Sequence, residues 1–382
     1  LANFVCGMLG PGCFSVALSF EQSGLWAGLV LIFVVGFLSM ISMYKIVLCS
    51  QHLCKLKNFG VEGPSVDYGD MAAGVCLHSY ARIRPFENHA RWIVNGSLIA
   101  FQLGVLSVCF VFVADHLLEV TEFFIGKEHG FSKTIIMLAY FIPQLCVNFE
   151  LIVHEKYVYS SLPAVTNFGG VTMAAGGLMY AFEGQAMVLA LENRLRHAVD
   201  MTGPTGVLCT AMNLVMLIYA FLGFFGYLTF GPLTTAVKFL LVAKIFLGSA
   251  LQLYVIVTIL APAVEAQFHK GSSRLKALRE YTLRLFLTVF SLTVAICVPN
   301  LYDIIPLVGI TAGMLLSLIL PAVLHTVLFL PVSMAGEKRA VKVFLLLFEN
   351  GGLFLLGWMF LLTGLYSSIV SIMSKHYVKS DL

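Results

Sequence analysis

Uncharged apolar runs govern what this chain can fold into. Residues 1–20 pass without a charged side chain, and so do 22–44, 92–114, 157–182, 201–237, 245–264, 285–302, 304–336 and 350–374. A shorter run covers 134–149. About 20 apolar residues in a helix cross the hydrocarbon of a bilayer. The stretch 201–237 has room for a span and a loop, and 157–182 continues past the single acid Glu183 to Leu191. Ten candidate spans result. Composition agrees: 59% of the 382 residues are hydrophobic and 11% are charged, against roughly 25% charged in soluble domains. A large soluble enzyme and a disordered chain are excluded, and a net charge of +3 leaves no nucleic-acid footprint. The expected fold is an all-α integral membrane protein, one transmembrane domain over 1–382. Residues 1–20 lack the basic start of a cleaved leader and hold glycines and a proline inside the apolar run, so they read as a span.

Lysine and arginine prefer cytoplasmic loops. They cluster in four places: Lys55 to Arg91, Arg194 with Arg196, Lys270 to Arg284, and Lys338 to Lys342. Two spans separate the second cluster from the third, and two the third from the fourth. Between the first and the second lie three runs, beginning at Trp92, Thr134 and Tyr157. An odd count cannot join two loops on one side. Either one loop is on the other side, or 134–149 is re-entrant or interfacial, or, the favoured reading, a helix is missing between about Phe149 and Leu162. The segment 150–156, with Glu150, Glu155 and Lys156, cannot itself cross. The nine cysteines sit mostly in spans and show no CxxC spacing, so neither a structural disulfide nor a zinc site is expected.

Two glycine-rich segments interrupt the apolar pattern. Gly7-Met8-Leu9-Gly10-Pro11-Gly12 is poor helix material. It fits a discontinuous helix, whose freed N–H groups hold a carboxylate aided by the helix dipole. It fits equally a close helix contact through small residues. The second segment carries Gly169, Gly170, Gly176 and Gly177, then Tyr180-Ala181-Phe182-Glu183-Gly184. An ionised Glu183 in hydrocarbon costs about 2.5–3.5 kcal/mol. It reads as a proton-coupling carboxyl, as a partner for a substrate ammonium, or as a brace for the break at Gly184. Two broken helices in one bundle point to a transporter site at the membrane midplane.

These residues resemble the amino acid/auxin permease family, in its proton-coupled amino acid transporter branch. The carriers of the resemblance are Gly7-x-x-Gly10-x-Gly12, Val66-Asp67-Tyr68-Gly69-Asp70, Gln102-Leu103-Gly104, Phe112-Val113-Ala114-Asp115, Phe182-Glu183-Gly184 with Leu191-Glu192-Asn193, and Gly226-Tyr227-Leu228-x-Phe230-Gly231. The resemblance implies eleven helices, the first ten in a LeuT-type five-plus-five inverted repeat. It also implies substrates that are small amino acids moved with protons. On that template the cytoplasmic loop is 50–91 and the first repeat covers about 1–160. The second repeat covers about 165–331, the extra helix about 342–374, and the fifth helix is absent. The departures bear on proton coupling. Asn3 stands where relatives often carry a histidine, Ala190 replaces a proline, and Thr258 lies where an acid is usual in the eighth helix. The relatives' extracellular cysteine pair has no counterpart.

The resulting expectation is a secondary transporter of small neutral amino acids in a plasma, lysosomal or vacuolar membrane. It needs no cofactor beyond the proton. Gly7, Gly10 and Gly12 bind the carboxylate. Tyr180, Phe182 and Gly184 face it, with Tyr180 or Phe182 as gate and Glu183 carrying the proton. A non-transporting amino-acid sensor or incomplete isoform is the alternative. No nucleophile–base or metal constellation suggests an enzyme. Lys244 reads as snorkelling, Asp115 and Glu119 as facing an aqueous edge, and Asp303 as a helix start. His325 reads as a satisfied bundle histidine and Glu349 as the start of a polar contact inside the last span. The sequon at Asn95 opens a span on the cytoplasmic side, so glycosylation is not expected.

Overall fold

Lipid offers no partner for backbone N–H and C=O groups, so apolar segments that enter it must close their own hydrogen bonds as helices. The computed structural model describes residues 12–56, 67–125, 133, 136–137, 168–182, 184–193, 195, 198–203, 205–228, 252–253, 255–260, 262–264, 273–298, 300–335 and 339–380. Among them no strand occurs. The main helices are α1 (Gly12–Ser23), α2 (Leu25–Leu56), α3 (Tyr68–Leu77), α4 (Glu87–Ile125), α5 (Phe168–Ala181) and α6 (Gln185–Glu192). They continue as α7 (Val207–Leu228), α8 (Ser273–Cys297), α9 (Leu301–Val308), α10 (Leu320–Ala335) and α11 (Arg339–Ser380).

By length and apolarity, four described stretches can each cross a membrane: Leu25–Leu56, Arg84–Leu118, Asp303–Met334 and Arg339–Ser371. Their surroundings differ. Of an apolar 18-residue window in Arg84–Leu118, 78% is buried inside the protein, and in Arg339–Ser371 only 22%. Thus α4 runs through the bundle and α11 lies along its outside.

Gly24 joins α1 to α2 at φ 91, a left-handed conformation that a glycine adopts without steric cost. The two helices therefore form a tight antiparallel hairpin. A Cβ on Gly28 would meet the Phe20 ring, so the hairpin also closes through a small residue. α5 packs on α1, and α7 packs on both α1 and α2.

The ends of α2, α3, α6 and α10 meet at one end of the bundle. Ser79, just past α3, donates to the Val327 carbonyl of α10 at 2.8 Å, and the Tyr80 hydroxyl reaches the Met334 sulfur at 3.0 Å. His52 near the end of α2 packs on Phe329. Ser50 and Gln51 flank Glu192 at the end of α6. The ends of α2, α6 and α10 thus lie on the same side, next to the sequence positions of three basic clusters.

Several boundaries differ from the expectation. The stretch 50–91 is not simply a loop. It holds the end of α2, the start of α4 and all of α3, which is buried against α2, α4 and α10. Asp67 caps α3, its Oδ1 accepting from the Asp70 amide at 2.6 Å. α8 begins at Ser273, so Lys276, Arg279 and Arg284 are helical. α11 extends the expected 342–374 at both ends. Asp303 lies in the first turn of α9 and accepts from Asn300 Nδ2 at 3.0 Å, in keeping with a helix start. Asp115 pairs with Lys133. The expectation for Lys244 lies outside the described residues.

The second span does not stop at Tyr44. α2 continues through Lys45, which is 3% exposed, because Glu349 of α11 supplies a carboxylate 2.8 Å from its Nζ. Beside this pair, Asn350 Nδ2 lies 3.1 Å from His325 Nδ1, so His325 is a satisfied bundle histidine. Removing one partner of a buried ion pair costs more than the pair contributes. Glu349→Leu should therefore destabilise the protein by about 1–3 kcal/mol, less than a fully buried pair because Glu349 is 60% exposed. The double change with Lys45→Met should restore most of the loss in thermal unfolding.

Candidate functional site

The segment from Phe168 to Glu192 cannot remain one helix. α5 ends with the Phe182 amide donating to the Leu178 carbonyl at 2.8 Å. Gly184 takes φ −138, ψ 0, outside the helical region, and α6 starts at Gln185 with the Val188 amide donating to the Gly184 carbonyl at 2.9 Å. The helix is interrupted where the sequence places Phe182-Glu183-Gly184, and Phe182, Gly184 and Gln185 are all buried.

An interruption leaves carbonyls at the end of the first half and amides at the start of the second without helical partners. Two side chains cover some of them. Tyr219 of α7 donates its hydroxyl to the Ala181 carbonyl at 3.1 Å, and its ring meets Phe182 edge-on with centroids 5.1 Å apart. Gln185 turns its Oε1 back to accept from the Gly184 amide at 3.1 Å. Tyr180 packs near Phe101 of α4, centroids 5.9 Å apart.

Glycines bring other backbones close to this break. Ser15 of α1 donates to the Gly177 carbonyl at 2.9 Å, and a Cβ on Gly177 would strike Ser19. A Cβ on Gly309 would collide with the Gly176 carbonyl. Gly309–Gly313 and Leu315–Ile319 are wound as π turns, which often mark functional positions inside helices.

The depth of the break follows from helix rise. Gly36 of α2 lies against Phe182. It is twelve residues from the Gly24 turn, roughly 18 Å at 1.5 Å per residue. Gly12 lies the same number of residues from that turn along α1. The described start of α1 is thus level with the break in α5–α6. Both ends stand a little over a third of the way along α2.

The structure therefore brings Tyr180, Phe182 and Gly184 together and places Gly12 at their level. Gly7, Gly10 and Glu183 lie outside the described residues. Tyr219, Gln185 and Gly309 were missed by sequence reasoning. Gln185 alone carried a signal, as a polar residue in the apolar stretch directly after Gly184.

Beyond the apolar stretch, Glu192 is 3% exposed. Burial pushes its carboxyl from 4.5 up to about 7, against the opposing pull of Gln51 and Ser50. Neither carboxylate oxygen has a well-formed hydrogen bond, so that pull offsets only part of the burial.

A bundle of apolar helices with one interrupted helix packed on the hairpin α1–α2 belongs to a multi-pass membrane protein. A family model described as transmembrane amino acid transporter protein matches residues 1–151 and 145–369, and the chain belongs to that family. A probable amino acid transporter of Caenorhabditis elegans, skat-1, is 28% identical over 415 aligned positions, covering 96% of this chain and 88% of the nematode protein. Amino acid transporter AVT3A of Arabidopsis thaliana is 24% identical over 412 positions, covering 98% of this chain and 89% of the plant protein. The family supports amino acid transport and is not enzymatic.

Two outcomes check the local chemistry. Tyr219→Phe keeps the ring contact with Phe182 and removes the cover from the Ala181 carbonyl, so it should cost about 1–3 kcal/mol of stability in detergent. Glu192 has a raised folded pKa, so its stabilisation is complete below pH 4.5 and is lost as pH rises through about 7. The unfolding temperature of the wild type should fall over that range more steeply than that of Glu192→Gln.

Proposed function

We propose that this chain is a secondary active transporter of small neutral amino acids coupled to protons. The observation that carries the proposal is the buried break at Phe182–Gly184, level with Gly12 of α1. Backbone N–H groups of Gly7 to Gly12 take the substrate carboxylate. Tyr180 and Phe182 close over it from α5, and Glu183 binds and releases the proton. Rocking of the helices around this fixed point exposes the site to each side in turn. The membrane is a plasma, lysosomal or vacuolar one.

In this reading the helices form a LeuT-type inverted repeat that lacks its fifth member. α4 starts at the end of the bundle where α2 and α10 finish, and α6 finishes there. An even number of crossings must therefore join α4 to α5, whereas residues 126–167 offer one apolar run, 134–149. The family match is split into two segments that meet at 145–151. The alignments with both relatives run over more positions than this chain has residues. These observations favour a helix absent near residue 150 over a re-entrant segment. They also motivate the second reading, a sensor or incomplete isoform that binds without moving its ligand.

Uptake of labelled proline, alanine or glycine into proteoliposomes under an imposed pH gradient separates the readings. The transporter should accumulate substrate with the gradient and lose that dependence in Glu183→Gln. Thermal stabilisation by the same amino acids without flux would identify the sensor.

A further inference from the structure

The Gln185 carboxamide is fully buried at the first position of α6. Its oxygen is committed to the Gly184 amide. That bond fixes the orientation of the group, because a flipped amide would set NH₂ against N–H. Nε2 therefore points away from the Gly184 amide as a donor, and it has no hydrogen-bond partner among the described residues. A buried donor without an acceptor is costly, and an occupant that supplies an acceptor removes the cost. The same spot is the N-terminus of a half-helix, whose dipole favours negative charge. Two independent features thus ask for an oxygen acceptor carrying negative charge, at the depth where α1 begins.

We propose that Gln185 is a substrate-binding residue that donates from Nε2 to the carboxylate of the bound amino acid. This rests on the reading of the chain as an amino acid carrier. The contact is independent of the substrate side chain. Phe182, Tyr219 and Gln185 have no exposed surface here, so the ligand reaches the donor only when the bundle opens. Once there, it meets a carboxamide already held by Gly184, and little ordering remains for the protein to supply.

Equilibrium binding of labelled alanine and serine to the purified full-length protein tests this. Gln185→Leu removes the donor and should raise Kd for both ligands by about tenfold or more, as expected for a hydrogen bond to a charged group. Gln185→Glu keeps the acceptor for the Gly184 amide but replaces NH₂ with an anionic oxygen. It should weaken both ligands further, measured on protein that retains a cooperative thermal unfolding transition. It carries the test if the leucine variant does not fold. Unchanged affinity in both variants overturns the proposal while leaving the carrier reading intact. Weakening of serine alone also overturns it, by assigning the donor to a side-chain oxygen. If the wild type binds neither amino acid, the carrier reading falls and takes this one with it.

Discussion

A peptide group left without a partner in hydrocarbon costs several kcal/mol, and the interruption between Ala181 and Gln185 creates such groups in the middle of a bundle. Its immediate surroundings follow from that cost. Tyr219 answers the Ala181 carbonyl, and the carboxamide of Gln185 answers the Gly184 amide. Gly176, Gly177 and Gly309 let neighbouring backbones approach, so that protein rather than lipid encloses the broken segment. A continuous helix would need none of these devices. Their presence together marks a position where the chain tolerates local instability for the sake of a polar centre.

Charge obeys the same economy. The ends of α2, α6 and α10, which border basic clusters in the sequence, collect on one side, where water and lipid headgroups accept charge. Lys45 is the exception inside α2. Its neutralisation by Glu349 fastens the outermost helix to one that lines the broken segment, and Asn350 with His325 adds a neutral polar contact on the same side of α10. α11 is thus held by a few polar links and a narrow seam of packing, with most of its surface toward lipid.

What the sequence revealed, and what it hid, divides along the range of the interactions. The break was legible because Gly184 and the glycines before it act on their own backbone, and local propensity decides such matters. The end of the second span was misplaced because a lysine reads as a boundary until its distant partner Glu349 is known. The helix α3 was hidden in a loop because it is short and depends on α2, α4 and α10 to bury its apolar side. Tyr219 lies 38 residues from the carbonyl it covers, in an apolar helix rich in aromatic residues. Nothing nearby in the chain distinguishes it from Phe221 or Phe224. The expectations for Gly7, Gly10 and Glu183 came from residue type and resemblance, whereas Tyr180, Phe182 and Gly184 also acquire a shared location.

The π turns between Gly309 and Ile319 hold more residues per turn than the helices around them. Each residue of a regular helix advances the side-chain direction by about 100°. Whatever follows such a widened stretch is consequently out of phase with what precedes it. Gly309 can press its bare backbone against Gly176 while His325, farther along the same rod, still points at Asn350. The surplus length works as an angular adjuster, setting two faces of one rod independently toward two different neighbours.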